Sequence, residues 1–198
     1  MKLIVVGATG TIGSAVAKAL EDSGHEVLRA SRKGQLAVDI SEPASIRRMF
    51  EQASQVDGVV CCAGNGAFKP LLELTDDELQ LTLSDKLMGQ VNLVRVGAEH
   101  VSDGGVFVLT AGIFSRNPPP GVPALALANG ALESFARAAA RDLPRGIRIH
   151  TVSPPFITAT AEKMGLPTEG TISAEDNAKS YVALVEGTET GQVVFPGD

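Results

Sequence analysis

Leu3-Ile4-Val5-Val6-Gly7-Ala8-Thr9-Gly10-Thr11-Ile12-Gly13 is the stretch that decides how this chain folds. The apolar run Leu3–Val6 predicts a buried strand. The glycines Gly7, Gly10 and Gly13 follow at once, and then Ile12, Ala15, Val16, Ala19 and Leu20 recur at helical spacing until a stop near Gly24. A strand, a tight glycine turn and a helix N-terminus make an anion site, because unpaired backbone N–H groups and the positive end of the helix dipole converge there. Gly7 permits the turn, Gly10 lets the backbone approach a phosphate, and Gly13 lets the helix pack closely on the strand. Thr9, Thr11 and Ile12 belong to the same site, the threonines adding hydroxyl donors. A glycine pattern alone is a weak signal. Directly after an apolar strand and before a helix, this one predicts a dinucleotide pyrophosphate site rather than a purely structural turn.

Outward from this unit, short apolar runs alternate with helical patterns, which predicts a parallel sheet covered on both faces. Further strands are expected at 27–30, 36–38, 56–62, 106–110, 147–152 and 192–195. The second and third are separated by too few residues for the usual crossover helix. Ser41-Glu42-Pro43 starts a helix with proline in its first turn. Thr75-Asp76-Asp77-Glu78 is another start, an N-cap candidate with Glu three residues on. It opens a long helical segment over 79–100 with the stripe Leu83, Leu87, Val91, Val94 and Ala98. A second long helix is expected over 124–143, after Pro118-Pro119-Pro120-Gly121. No internal repeat or linker interrupts the pattern, so one domain over 1–198 is the economical reading.

The bulk numbers narrow the partners. With 198 residues, 44% of them hydrophobic and 20% charged, the chain can bury a sizeable core. The net charge of −6 argues against nucleic acid as a partner, which needs a basic field. No apolar run approaches the roughly 20 residues of a membrane span. The first residues read as a strand rather than a charged leader. Cys61 and Cys62 are neighbours, a poor geometry for a structural disulfide, and read as buried filler in a reducing, cytoplasmic compartment. His25, His100 and His150 lack partners at ligand spacing, so no metal site is expected.

The end of the second strand bears on the choice of cofactor. An acid there accepts hydrogen bonds from the ribose 2′-OH of NAD and repels a 2′-phosphate. This chain offers Arg29, Ser31, Arg32 and Lys33, and no acid. Cations and a hydroxyl suit NADP (NADPH) over NAD, with Ser31 and Arg32 as the contacts, unless Arg32 and Lys33 are merely a solvated turn.

Several later landmarks resemble the short-chain dehydrogenase/reductase family. Asp39-Ile40 resembles the pair that holds the adenine. Cys61-Cys62-Ala63-Gly64 stands where the family has Asn-Asn-Ala-Gly, which implies Cys62, Ala63 and Gly64 against the adenosine ribose. Val152-Ser153-Pro154-Pro155-Phe156-Ile157-Thr158 resembles the Pro-Gly segment by the nicotinamide, which puts Pro154 at the cofactor; Ser153 and Thr158 could contact it too. Gly191-Gln192-Val193-Val194 resembles the final strand. The resemblance implies an α/β fold with a Rossmann-type doubly wound parallel sheet in three α/β/α layers. It also implies a small-molecule carbonyl or alcohol substrate and a homodimer or homotetramer built through the two long helices.

The resemblance breaks at the catalytic residues. The family uses a Tyr as acid, a Lys that lowers its pKa and holds the ribose, a Ser at the substrate carbonyl and an Asn on a water chain. Here Thr110-Ala111-Gly112 replaces the usual Ser pair, and Leu125 and Asn129 stand where Tyr and Lys are expected. Lys86 falls at the Asn position, so Asn and Lys are exchanged: Lys86 and Asn129. Thr110, Lys86 and Asn129 are the candidate catalytic residues, with Lys86 either an acid pointing into the pocket or an ordinary solvated lysine. Tyr181, the lone tyrosine, is either structural or a substitute phenol. Two functions compete: an NADP(H)-dependent oxidoreductase with a degenerate site, and a catalytically inactive NADP(H)-binding sensor or regulatory module. A non-redox lyase or isomerase is a distant third.

Overall fold

The computed structural model describes residues 1–197. Its strands are β1 (Lys2–Val6), β2 (Glu26–Ser31), β3 (Leu36–Ala37), β4 (Val56–Cys61), β5 (Val101–Thr110), β6 (Arg148–Val152) and β7 (Val193–Val194). They form one sheet in the order β3-β2-β1-β4-β5-β6-β7, with every pair parallel. The helices are α1 (Thr11–Asp22), α2 (Pro43–Ala53), α3 (Asp76–Thr82), α4 (Gly89–Gly97), α5 (Pro123–Asp142), α6 (Thr158–Lys163) and α7 (Ala174–Glu186). None of the described helices is long and apolar enough to cross a membrane.

Side chains alternate across each strand, so both faces of the sheet can be buried. Ile4, Val6, Val59, Phe107 and Leu109 face α2, α4 and α5, against Ile46, Phe50, Leu93 and Leu132. Leu3, Val5, Val60, Val106 and Val108 face α1 and α7, against Val16, Leu20, Tyr181 and Leu184. The predicted doubly wound, three-layer architecture is the one observed.

Four elements differ from expectation. β5 begins at Val101, earlier than expected, and its pairing with β4 shifts between Val56 and Gly58. The long helical segment is not continuous: a π-helical turn at Leu83–Met88 joins α3 to α4. The residue pattern is compatible with an unbroken α-helix, so the wider turn left no periodic signal. α6 and a 3₁₀ turn at Ile113–Ser115 lie in segments for which no element is expected from the sequence. The Thr75 cap is as expected: Thr75 accepts from the Glu78 N–H and Glu78 accepts from the Thr75 N–H.

The strand order reverses direction between β1 and β4. In an open parallel sheet that crevice, beyond the carboxyl ends of the strands, is where ligands bind. The glycine turn leaves β1 there, and Cys62-Ala63-Gly64 leaves β4 beside it.

Candidate active site

The turn after β1 is closely built. Gly7 has φ +80°, and a Cβ on it would stand 2.9 Å from the Ala63 nitrogen. A Cβ on Gly13 would overlap the Gly7 carbonyl. The Gly7 and Ala8 N–H groups are used by the Ala30 carbonyl at 2.9 and 3.2 Å, and Gly10 N–H donates to Gly7 O at 3.0 Å. Gly10 caps α1 with no side chain closing its N-terminus. Thr9, Gly10 and Thr11 are exposed and Ile12 is half-buried at the start of that helix, so this end presents N–H donors to the crevice.

Ser31, Arg32, Asp39 and Ile40 lie at the carboxyl ends of β2 and β3 on the same edge. Arg32 is exposed, whereas Arg29 is engaged in a two-pronged ion pair with Glu21 at 2.8 and 2.9 Å. Asp39 is turned into its own loop: it accepts from the Ser41 hydroxyl at 2.6 Å and the Ser41 N–H at 3.0 Å. The Ser41 hydroxyl holds its carboxyl below the usual range, with Arg32 a lesser contributor. The Ile40 side chain is core, packed at Gly89.

Beside the glycine turn opens a cleft of about 340 Å³. Its walls include Ile12, Gly64, Lys86, Ala111, Gly112, Leu125, Asn129 and Pro154. Ile12 and Pro154 join it to the crevice at the glycine turn. The structure therefore brings together Lys86, Asn129, Leu125 and Pro154, drawn from a π turn, a helix and a strand end.

Lys86 is 7% exposed and is not a solvated lysine. Its ammonium donates to the main-chain oxygens of Ala111 (3.2 Å) and Thr110 (3.5 Å). Among the described residues it makes no ion pair; the adjacent Asp85 is taken up by Asn65, whose side-chain amide donates at 2.6 Å. Burial pushes the Lys86 pKa down to about 8. The π turn carries this residue, and one helical turn further Gln90 is fully buried. Gln90 accepts from the Thr110 N–H (2.9 Å) and donates to the Thr110 carbonyl (2.9 Å), closing the end of β5 as a neighbouring strand would. Asn129 is 2% exposed, and its Oδ1 has no hydrogen-bond donor.

Thr110 requires a correction. Its hydroxyl is not in the cleft: it donates to the Cys61 carbonyl at 2.6 Å and meets the Tyr181 hydroxyl at 2.8 Å on the far side of the sheet. The cause is strand parity, since Thr110 shares a face with Val106 and Val108. Only the Thr110 carbonyl serves the site, under Lys86. Tyr181 is fully buried in the same layer, outside the cleft, and is structural.

Cys61 and Cys62 are free, and burial pushes both thiols up, Cys61 to about 12, so neither is a reactive thiolate. His25 faces Glu186 at 3.3 Å, His100 stacks on Phe50, and burial lowers the pKa of His150 to about 4. Among the described residues no cluster of three possible metal ligands exists.

Two features escaped the sequence. Phe68, Phe114 and Phe156 meet at the cleft mouth with ring centroids 5.3–6.3 Å apart. They come from the segments after β4, β5 and β6, which are distant in sequence and adjacent in the sheet. Glu133, 8% exposed, accepts from Ser115 (2.6 Å) and Ser153 (2.7 Å), tying the loops after β5 and β6 to α5. The one sequence signal was its spacing: it lies one helical turn beyond Asn129.

A parallel sheet with a glycine turn at its switch point defines a dinucleotide-binding α/β protein. A family model described as enoyl-(acyl carrier protein) reductase matches residues 7–195, and the chain belongs to that family, the short-chain dehydrogenase/reductases, which are oxidoreductases using nicotinamide cofactors. It is similar to lin1944 of Listeria innocua, whose crystal structure superposes with a TM-score of 0.94 at 40% identity over 98% of both chains. A small-chain dehydrogenase solved in complex with NADPH gives a TM-score of 0.87 at 26% identity, over 98% of this chain and 95% of the other. An uncharacterized oxidoreductase of Methylorubrum extorquens is 26% identical over 219 residues, 98% of this chain and 85% of that protein.

Proposed function

We propose that the chain is an NADP(H)-dependent oxidoreductase of a small carbonyl compound or its alcohol, in which Lys86 replaces the family's tyrosine acid. The observation that carries this reading is the buried Lys86 ammonium in the cleft, anchored to two main-chain oxygens and without a carboxylate partner. Two of its N–H groups are used, which leaves one for a substrate oxygen.

The residues present fit the cofactor. Gly7 and Gly13 let the turn close against Ala63 and pack the helix onto it, and the open end of α1 receives the pyrophosphate through Thr9, Gly10, Thr11 and Ile12. Ser31 and the exposed Arg32 receive the 2′-phosphate, and the NADPH bound to the structural neighbour is in keeping with this. The Asp39-Ile40 loop borders the adenine; Cys62, Ala63 and Gly64 border its ribose; Pro154 borders the nicotinamide. Asn129 Oδ1, buried and lacking a donor, suits a ribose hydroxyl. When bound, the cofactor supplies or accepts the hydride. Lys86 polarises the carbonyl and gives its proton to the oxygen, and its lowered pKa suits release near neutral pH. Leu125 and Gly112 wall the reacting centre.

Titration with NADPH and NADH, then carbonyl-dependent NADPH oxidation by wild type and Lys86→Met, tests the reading. NADPH preference, with turnover lost and binding kept in Lys86→Met, is the expected result; undiminished turnover in the variant would remove Lys86 from the chemistry. A second reading, the inactive cofactor-binding module, is favoured by one observation: among the described residues no phenol lines the cleft. NADPH binding with no turnover on any carbonyl would select it.

Exposed Leu127 on α5 and Met88 on the adjoining π turn support a homodimer or homotetramer through these helices, readable by sedimentation. The free cysteines suit a reducing compartment such as the cytoplasm.

A further inference from the structure

We infer that the cleft is built for a neutral aryl carbonyl, a flat aromatic ring carrying a ketone or aldehyde oxygen. This deepens the oxidoreductase reading and rests on it for the reaction, though not for the binding.

The composition of the walls excludes other classes. Among the described residues Lys86 is the only charged one on the cleft; the remaining polar side chains, Asn65, Asn129 and Thr160, are neutral. A phosphate or carboxylate would find one ammonium with a single N–H to offer and no arginine fork. A neutral carbonyl oxygen needs no more than that single donor. A sugar would find few groups for its several hydroxyls.

The mouth supplies the positive argument. The chain has seven phenylalanines, and three of them gather at this rim rather than in the core. Phe68 is 49% exposed, which leaves its ring to be covered by a ligand. Phe68 and Phe156 lie 25° from parallel, while Phe114 stands at 90° to Phe68 and 67° to Phe156. The rim thus offers ring faces and ring edges together. An aryl ring can add both stacked and edge-to-face contacts to such a set, and a saturated ring of equal size gains only its buried area. Lys86 and the three phenyl rings line the same cleft, so the oxygen and the ring of one molecule meet different groups.

Acetophenone and cyclohexyl methyl ketone share a carbon count and an oxygen and differ in the ring. Their affinities for the whole protein, with and without NADPH, can be read by ligand-observed NMR, which needs no turnover. Acetophenone should bind about tenfold more tightly, since each aromatic pair adds to the area term. Phe156→Leu should bring the two ketones near parity. Phe68→Leu, at a half-exposed position that the fold tolerates, should shrink the difference in the same direction. Equal affinities in wild type, no binding of either ketone, or a preference that survives both substitutions would overturn the inference. NADPH is titrated into the same samples. Aryl preference without NADPH binding would sink the oxidoreductase reading alone, and NADPH binding with equal ketone affinities would sink the aryl cleft alone.

Discussion

The hydroxyls of Thr110 and Tyr181 meet at 2.8 Å, behind the sheet and away from the cleft. The Thr110 proton goes to the Cys61 carbonyl, so the Tyr181 hydroxyl is the donor of this pair. Thr110→Val keeps the shape and leaves a buried phenol without its acceptor. It should cost about 1–3 kcal/mol in urea unfolding while NADPH affinity and turnover stay near wild type. Tyr181→Phe should cost about 1 kcal/mol, because the acceptor it frees still bonds to Cys61 O. A large loss of turnover in a stably folded Thr110→Val would return the hydroxyl to the reaction.

Lys86 makes the protein's stability depend on pH in a definite window. Its folded pKa of about 8 lies below the ordinary value of 10.5 because of burial. Between those values the unfolded chain binds more protons than the native one, so stability rises as pH climbs through the window. Below about pH 8 both states are protonated and the burial penalty is constant. The gain across the window is on the order of 3 kcal/mol, and Lys86→Met should abolish it in denaturation curves taken at stepped pH. Carbonyl reduction should decline above about pH 8 as the ammonium is lost, with alcohol oxidation moving the opposite way.

Gly10 and Gly13 should separate folding from cofactor binding. At Gly10 an added Cβ comes no closer than 3.4 Å to the Gly7 oxygen and φ is −83°, so Gly10→Ala should fold normally. Its methyl group would stand where the backbone meets the pyrophosphate, and NADPH affinity should fall roughly tenfold or more. Gly13→Ala forces the helix off the strand and should lose about 1–3 kcal/mol of stability as well. Equal stability losses in the two variants would contradict this assignment.

Arg29 and Arg32 lie three residues apart at the end of β2 and should behave differently. Arg32→Ala should weaken NADPH by about tenfold to a hundredfold, leave NADH unchanged, and flatten the salt dependence of NADPH binding. Arg29 is held by Glu21, so Arg29→Ala should leave both cofactors alone. Parallel losses for NADPH and NADH in Arg32→Ala would speak against a 2′-phosphate contact.

Glu133 holds two walls of the cleft through Ser115 and Ser153. Glu133→Ala leaves the Ser153 hydroxyl without its acceptor and Ser115 with only the longer bond to the Gly112 carbonyl, and should cost about 1–3 kcal/mol, with a raised KM. Glu133→Gln retains an acceptor oxygen and should recover most of both. A variant whose thermal unfolding and KM match wild type would show that the loops hold themselves.

The sequence revealed what repeats and what is local. Alternating β and α patterns, the Thr75 cap and the glycine turn each lie in a few consecutive residues, and each is where the reading put it. Thr110 was misread because its residue type was weighed and its parity was not: counting in twos from Val106 turns it toward Tyr181. The Phe68–Phe114–Phe156 rim had no local signature, since sheet order brings three separate loops together. The π turn under Lys86 also left no trace, because its residues suit an ordinary helix equally well.

β3 and β7, the two margins of the sheet, are each only two residues long. A chain approaching either margin finds hardly any unpaired backbone on which to lay a new strand. The fold is thereby guarded against open-ended, fibre-like growth at both sides. Any self-association would fall to side-chain surfaces on the helices, where it can close on itself and stop.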